Sequence, residues 1–132
     1  MTKKEQPVSQ YKSKAGFQRL IAALFNSFNG LRTAWRLEHA FRQELGVALP
    51  GIVVALLLPV SLLERVALIA VLLLMLITEL VNSAIEAVVD RISLDHHELS
   101  KNAKDLGSAA VMLSVILAVL TWAAILGALW MR

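Results

Sequence analysis

The sequence contains no cysteine, which rules out both a disulfide framework and a thiolate metal site and leaves the redox compartment unread. Phosphate-binding and nucleophile signatures are missing too. Gly46 and Gly51 have the glycine spacing of a GxxxxGK[ST] loop, but Ile52 and Val53 follow where Lys and Ser or Thr are required. No HRD, DFG or GxSxG string occurs. Nucleotide or acyl chemistry would therefore use a site unlike those of soluble enzymes. Charge is scarce as well, at 17% of residues, and the formal net charge of +3 is weak evidence for a nucleic-acid partner.

What the chain has in abundance is apolar sequence. With 58% hydrophobic residues and a mean hydropathy of +0.67, its 132 residues make one domain by length but not an ordinary soluble one. The pattern predicts an all-α membrane protein. Eight of the 13 Lys and Arg precede residue 45, a bias suited to an anionic membrane face.

Residues 1–15 read as a basic flexible tail, with four Lys before residue 15, a Pro and no apolar core or small-residue cleavage site of a signal peptide. From Gly16, the residues Phe17, Leu20, Ile21, Leu24, Phe25 and Phe28 recur at helical spacing, predicting an amphipathic helix over 16–29 whose aromatic face rests in the membrane interface or on protein. Asn29 and Gly30 suggest a break, after which LRTAWRLEHAFRQE forms a second, charged helical piece ending at Glu44. On it Trp35, Glu38 and Arg42 share a side, and a simple Glu38–Arg42 i,i+4 pair accounts for two of them.

Leu45 to Leu63 is a run of 19 uncharged residues, enough to cross an apolar core about 30 Å thick, with Pro50 and Pro59 as possible kinks. Glu64 and Arg65 suggest a short turn, Val66 to Val89 a second span, Asp90 to Asp105 a charged connection, and the 26 uncharged residues Leu106–Met131 a third span. Gly107, Ala110, Ser114, Ala118 and Thr121 make a small-residue stripe along it that lets another helix come close. Three spans put 11 basic residues on the side of the N-terminus and two on the other, so the N-terminus is expected to be cytoplasmic and the C-terminus periplasmic.

The second span is not uniformly apolar. Glu79, Asn82, Glu86 and Asp90 recur at steps of three, four and four, so on a helix they share one face, with Ser83 beside them. Ionisable groups at such depth cost roughly 2.5–3.5 kcal/mol each on insertion scales and face a partner, a cavity or an ion. The plain alternative is that these carboxylates pair with basic residues of another helix. Asp95, His96, His97 and Glu98 offer metal-ligating types, but adjacent helical positions diverge by about 100° and helical His ligands need i,i+4 spacing. Lys104 beside Asp105 is the better fragment, a cation for phosphate oxygens next to an acid that would orient it.

The strings AFRQE at 40–44, ELVNSAIEAVVDRI at 79–92, HELS at 97–100, AKD at 103–105 and GSAAV at 107–111 make the chain resemble the prokaryotic diacylglycerol kinases, from about Gly16 to Trp122. The resemblance implies an N-terminal surface helix plus three transmembrane helices, a homotrimeric bundle in the bacterial inner membrane, and active sites shared between subunits. It implies transfer of the ATP γ-phosphoryl group, with Mg2+, to the primary hydroxyl of diacylglycerol, in phospholipid recycling. By the same resemblance Glu79 is the general base and Glu38 and Glu86 hold Mg2+ around ATP. Arg19, Asn26, Asp95, His96, His97, Lys104 and Asp105 fall at nucleotide positions. Arg19 also falls with Phe28, Arg32, Trp35, Ala40, Phe41, Arg42, Gln43, Glu44, Glu79 and Ser108 around the lipid, while Asn82, Ser83 and Asp90 support the site. The chain departs from the family at two places. Ser93, Leu94, Asp95 and His96 stand where members carry Gly-Ser-Glu-Tyr, and Asn26 stands for a Tyr, so ring stacking from that position is lost. Two other functions share some of these features: phosphorylation of undecaprenol by the same fold, and a small proton-coupled transporter or assembly subunit using Glu79 as its protonatable acid.

Overall fold

The computed structural model describes residues 16–131; the basic tail of residues 1–15 and Arg132 lie outside the described residues. Four helices follow one another, α1 (Gly16–Leu37), α2 (His39–Leu57), α3 (Leu62–Ile92) and α4 (Glu98–Trp130). The chain divides into two units between Thr33 and Ala34. Before that point, the stripe of Phe17, Leu20, Leu24, Phe25 and Phe28 on α1 is exposed. Gly16 has a φ of 50°, a left-handed conformation open to glycine at little cost.

The helix boundaries differ from those the sequence suggested, and each difference has a local cause. Asn29 and Gly30 do not end α1, since a glycine inside a helix costs only about 1 kcal/mol relative to alanine. The break falls instead at Glu38, whose backbone is extended (φ −98°, ψ 111°). Arg42 closes it, donating from Nη1 to the carbonyls of Trp35 (2.9 Å) and Arg36 (3.3 Å), acceptors that a helix C-terminus leaves unpaired. Helix α2 passes through Pro50 and ends at Leu57. Leu58, held extended by the following Pro59, opens the turn.

Glu64 and Arg65 are not that turn. They lie in the first turns of α3, where Ser61 and Glu64 form a capping box: the Ser61 hydroxyl accepts from the Glu64 amide and the Glu64 carboxylate accepts from the Ser61 amide. Arg65 reaches back to the end of α2, donating to the carbonyls of Ala55 (3.3 Å) and Leu58 (3.2 Å). The charged connection expected over 90–105 shrinks to residues 93–97. There His97 caps α4, its Nδ1 accepting from the Leu99 amide, and the Ser93 hydroxyl accepts from the Asp95 amide.

Helices α2, α3 and α4 are each long and apolar enough to cross a membrane. With 31 and 33 residues, α3 and α4 extend about 46 and 50 Å, so their charged ends outreach an apolar core about 30 Å thick.

Within this unit α3 is central and packs against both α2 and α4. Ala48, Leu72 and Met75 form the core cluster, flanked by Ile52, Leu76 and Trp122. The Trp122 indole donates to the Leu68 carbonyl (3.3 Å). The small-residue stripe of α4 serves this packing. Gly107, Ser114 and Ala118 are buried, and the Ser114 and Thr78 hydroxyls meet at 2.8 Å.

Ala48 is fully buried, so Ala48→Leu has no free volume to occupy. It should lower thermal stability in detergent by about 1–3 kcal/mol; an unchanged melting temperature would remove Ala48 from the core.

Candidate active site

The polar stripe of α3 is buried at Glu79 and Asn82, half-buried at Ser83 and Glu86 and exposed at Asp90. Glu79 is only 5% exposed and Asn82 9%, although the helix around them is otherwise apolar. The Ser83 hydroxyl hydrogen-bonds the Glu79 carboxylate, one turn away on the same face. Asn82 donates from Nδ2 to Oε1 of Glu86 at 3.1 Å. A buried face built this way holds one carboxylate by a hydroxyl and the next by an amide.

Other carboxylates converge on it. Glu86 and Glu38 lie close enough to Glu79 to oppose its charge, and Glu79 opposes Glu44 in the same way. The break between α1 and α2 thus has a consequence for the site. Glu38 occupies the N-cap position of α2, but its side chain makes no capping hydrogen bond, which leaves the carboxylate available. One oxygen of Glu44, Oε2, is buried without a hydrogen-bond partner. Glu38 from the helix break, Glu44 from α2 and Glu86 from α3 therefore form, within one chain, an acidic group centred on Glu79.

The cationic side of the site comes from α4. Lys104 donates to Oδ1 of Asp90 at 2.6 Å, a bond that ties α4 to the end of α3, and it also lies within electrostatic reach of Glu86. The sequence suggested Asp105 as the acid that orients Lys104. The structure assigns that part to Asp90, because Asp105 is one helical turn from Lys101 and pairs with it instead. Around Lys104 the residues Asp90, Ser93, Asp95, His96, His97 and Asp105 line a polar depression, so four of the residues placed at the nucleotide are brought together with Lys104 at the α3–α4 turn.

Carboxylate oxygens such as those of Glu38 and Glu86 are the hard ligands that Mg2+ takes. Among the described residues no group of three or more His, Cys, Asp or Glu is arranged to hold an ion by protein ligands alone.

The remaining sites divide. Ala40, Gln43 and Ser108 are exposed on α2 and α4, and Trp35 is 54% exposed. The Phe41 ring is buried, at 3% exposure, so it is spent on packing. No Glu38–Arg42 ion pair forms; the guanidinium is on the end of α1 instead. Arg19, Asn26, Phe28 and Arg32 are exposed on the first part of α1. The family resemblance put Glu44 and Glu79 around the same lipid, but nothing in the spacing of α2 and α3 reveals which acids meet across them.

Comparison with known proteins decides the family. The model of the prokaryotic diacylglycerol kinases matches residues 25–126. The chain belongs to this family. It is 52% identical to the diacylglycerol kinase of Escherichia coli K12 over 111 residues, covering 84% of this chain and 91% of that one. It is 51% identical to the diacylglycerol kinase of Pseudomonas aeruginosa over 118 residues, covering 89% and 96%. The diacylglycerol kinase of Helicobacter pylori strain 26695 is 44% identical over 117 residues, with 89% and 91% covered. As a member of the family this chain is a membrane kinase, and the acidic group and Lys104 lie inside the matched segment.

The two bonds from Arg42 to the end of α1 separate a structural from a lipid-binding part for this residue. Arg42→Ala should lower thermal stability by about 0.5–1.5 kcal/mol and reduce turnover as Glu38 loosens. Unchanged stability with a raised KM for lipid would instead assign Arg42 to the lipid alone.

Proposed function

We propose that this protein is an ATP-dependent diacylglycerol kinase, producing phosphatidate and ADP. The observation that carries the reading is the nearly inaccessible Glu79 carboxylate, held within an acidic group in a chain of this family. Glu79 meets the requirement for a base acting on a lipid alcohol, because it lies inside the apolar length of α3 rather than at its charged end. The relatives above are named diacylglycerol kinases, which favours diacylglycerol over undecaprenol as the acceptor. A kinase family likewise leaves no support for a transporter reading of Glu79.

In the reaction the primary hydroxyl oxygen of the lipid bonds to the γ-phosphorus. The bond from that phosphorus to the β,γ-bridging oxygen breaks, and ADP leaves with the electron pair. The hydroxyl proton passes to Glu79. Phosphoryl transfer of this kind depends on positioning and charge neutralisation more than on covalent assistance. Lys104, braced by Asp90, supplies a fixed cation beside Glu86. Glu38 and Glu86 would hold the Mg2+ that accompanies ATP, which when bound would supply charge neutralisation at the phosphates. The polar depression between α3 and α4 takes the nucleotide, with Asp95, His96, His97 and Asp105 at its edge. Ala40, Gln43 and Ser108 face the lipid, together with Trp35. For Arg19, Asn26, Phe28 and Arg32 the support is the family resemblance.

A homotrimer in the bacterial inner membrane completes the reading. Large apolar side chains remain exposed along all three spans, among them Val53, Leu73, Ile77, Leu113 and Leu120, which suits lipid and neighbouring copies. Closed cyclic symmetry is the usual form of such assembly, and substrate pockets form where helices of neighbouring subunits meet. The excess of basic residues on the side of the N-terminus supports a cytoplasmic N-terminus.

Radiolabelled ATP incubated with the protein, diacylglycerol and undecaprenol together should label phosphatidate. Label in undecaprenyl phosphate alone would reverse the substrate assignment. Glu79→Gln should retain the fold and nucleotide binding while lowering turnover by about 10² or more; near-normal turnover would remove Glu79 from the chemistry.

Sharing of sites between subunits has its own test. Inactive Glu79→Gln subunits, unfolded and reassembled with inactive Lys104→Ala subunits, should regain part of the activity. Mixed trimers as inactive as either parent would place each site within one chain.

A further inference from the structure

Asn82 carries one buried atom that its bond to Glu86 leaves unaccounted for. Its Nδ2 donates to Glu86, while its Oδ1 is buried with no hydrogen-bond partner. A buried amide oxygen left unpaired is costly, so its surroundings are informative. That oxygen is pressed against Gly107 of α4. A Cβ built on Gly107 would fall onto Oδ1 of Asn82, and would stand 3.3 Å from its Cγ and 3.8 Å from its Cα. Gly107 has no positive φ, so the position requires glycine for space and not for backbone conformation.

We infer that Gly107 is a positioning residue for this site: its bare Cα is the stop against which the Asn82 amide is set so that Nδ2 meets Glu86. The inference rests on the reading of Glu86 as a carboxylate of the magnesium-nucleotide site. The amide is fixed in this sense by its neighbours on both sides. The reverse orientation would turn Oδ1 toward the Glu86 carboxylate, acceptor against acceptor. In the observed one, Oδ1 lies over the glycine Cα, whose hydrogens offer a weak C–H···O contact to an oxygen with nothing better. Any side chain at 107 would drive the amide off this position and release Glu86 from its donor. Gly107 thereby links α4, which carries Lys104 one turn earlier, to the carboxylate on α3 that Lys104 faces.

The test uses the full-length protein in detergent and measures affinity for a non-hydrolysable ATP analogue with Mg2+, alongside thermal melting and the KM for diacylglycerol. Gly107→Ala should weaken analogue binding about tenfold, the scale of losing one hydrogen bond to a charged group, with the lipid KM unchanged. Asn82→Ala should weaken it to a similar extent. In the Asn82→Ala background, Gly107→Ala should cost nothing further in binding or melting, because nothing is left for the added methyl to displace. That last comparison remains valid even if Gly107→Ala alone fails to fold. Wild-type analogue affinity in Gly107→Ala would overturn the inference. So would a double variant that fails to fold, or that binds more weakly than Asn82→Ala. Glu86→Gln separates the two claims: if it leaves analogue affinity unchanged, the reading of Glu86 fails, and if it weakens binding while Gly107→Ala does not, only the inference about Gly107 fails.

Discussion

The carboxylates of Glu38, Glu44 and Glu86 are held near that of Glu79 and oppose its charge, in helices whose other residues suit lipid. Charge of one sign in such surroundings is unstable unless it is braced or neutralised, and much of the local structure acts as bracing. Ser83 holds Glu79 and Asn82 holds Glu86. Arg42 fixes the break that frees Glu38 from the helices on either side. Lys104, anchored on Asp90, brings positive charge from α4 to within reach of Glu86.

Packing makes this arrangement possible. Helix α4 approaches α3 closely because its contacting positions are small, and the three buried ones do different things. Gly107 leaves room for the Asn82 amide, Ser114 exchanges a hydrogen bond with Thr78, and Ala118 lies in the apolar layer. Lower down, Trp122 and Met75 close the seam in apolar contact. The polar work is therefore concentrated at the end of the bundle nearest the α3–α4 turn. The remainder of the unit supplies rigidity.

Much of this architecture was legible in the sequence, for physical reasons. Uncharged runs of membrane-spanning length announce helices by themselves, and the steps of three and four from Glu79 to Asp90 place those residues on one face whatever else the chain does. Boundaries were harder. Hydropathy runs unbroken through Leu57, Leu58 and Leu63, so the turn at 58–61 was masked, although the Ser61–Glu64 capping box was there to be read. The break at Glu38 has no glycine or proline to mark it, and depends on Arg42 four residues later. Contacts across helices were not legible in spacing or periodicity: that Asp90 rather than Asp105 orients Lys104, that the Glu44 carboxylate meets Glu79, and that Gly107 meets Asn82 follow from how α2, α3 and α4 dock. The small-residue stripe marked a close approach without naming what approached.

If the acidic group is held together at the expense of stability, its strain can be read without catalysis. Thermal melting of the wild type and of Glu79→Gln, each with and without Mg2+ and a non-hydrolysable ATP analogue, measures it directly. Removing the carboxyl that the other three oppose should make Glu79→Gln melt higher than the wild type when no ligand is present, and the ligand should raise both by similar amounts, because nucleotide binding is retained. A variant that melts lower than the wild type without ligand would contradict the account.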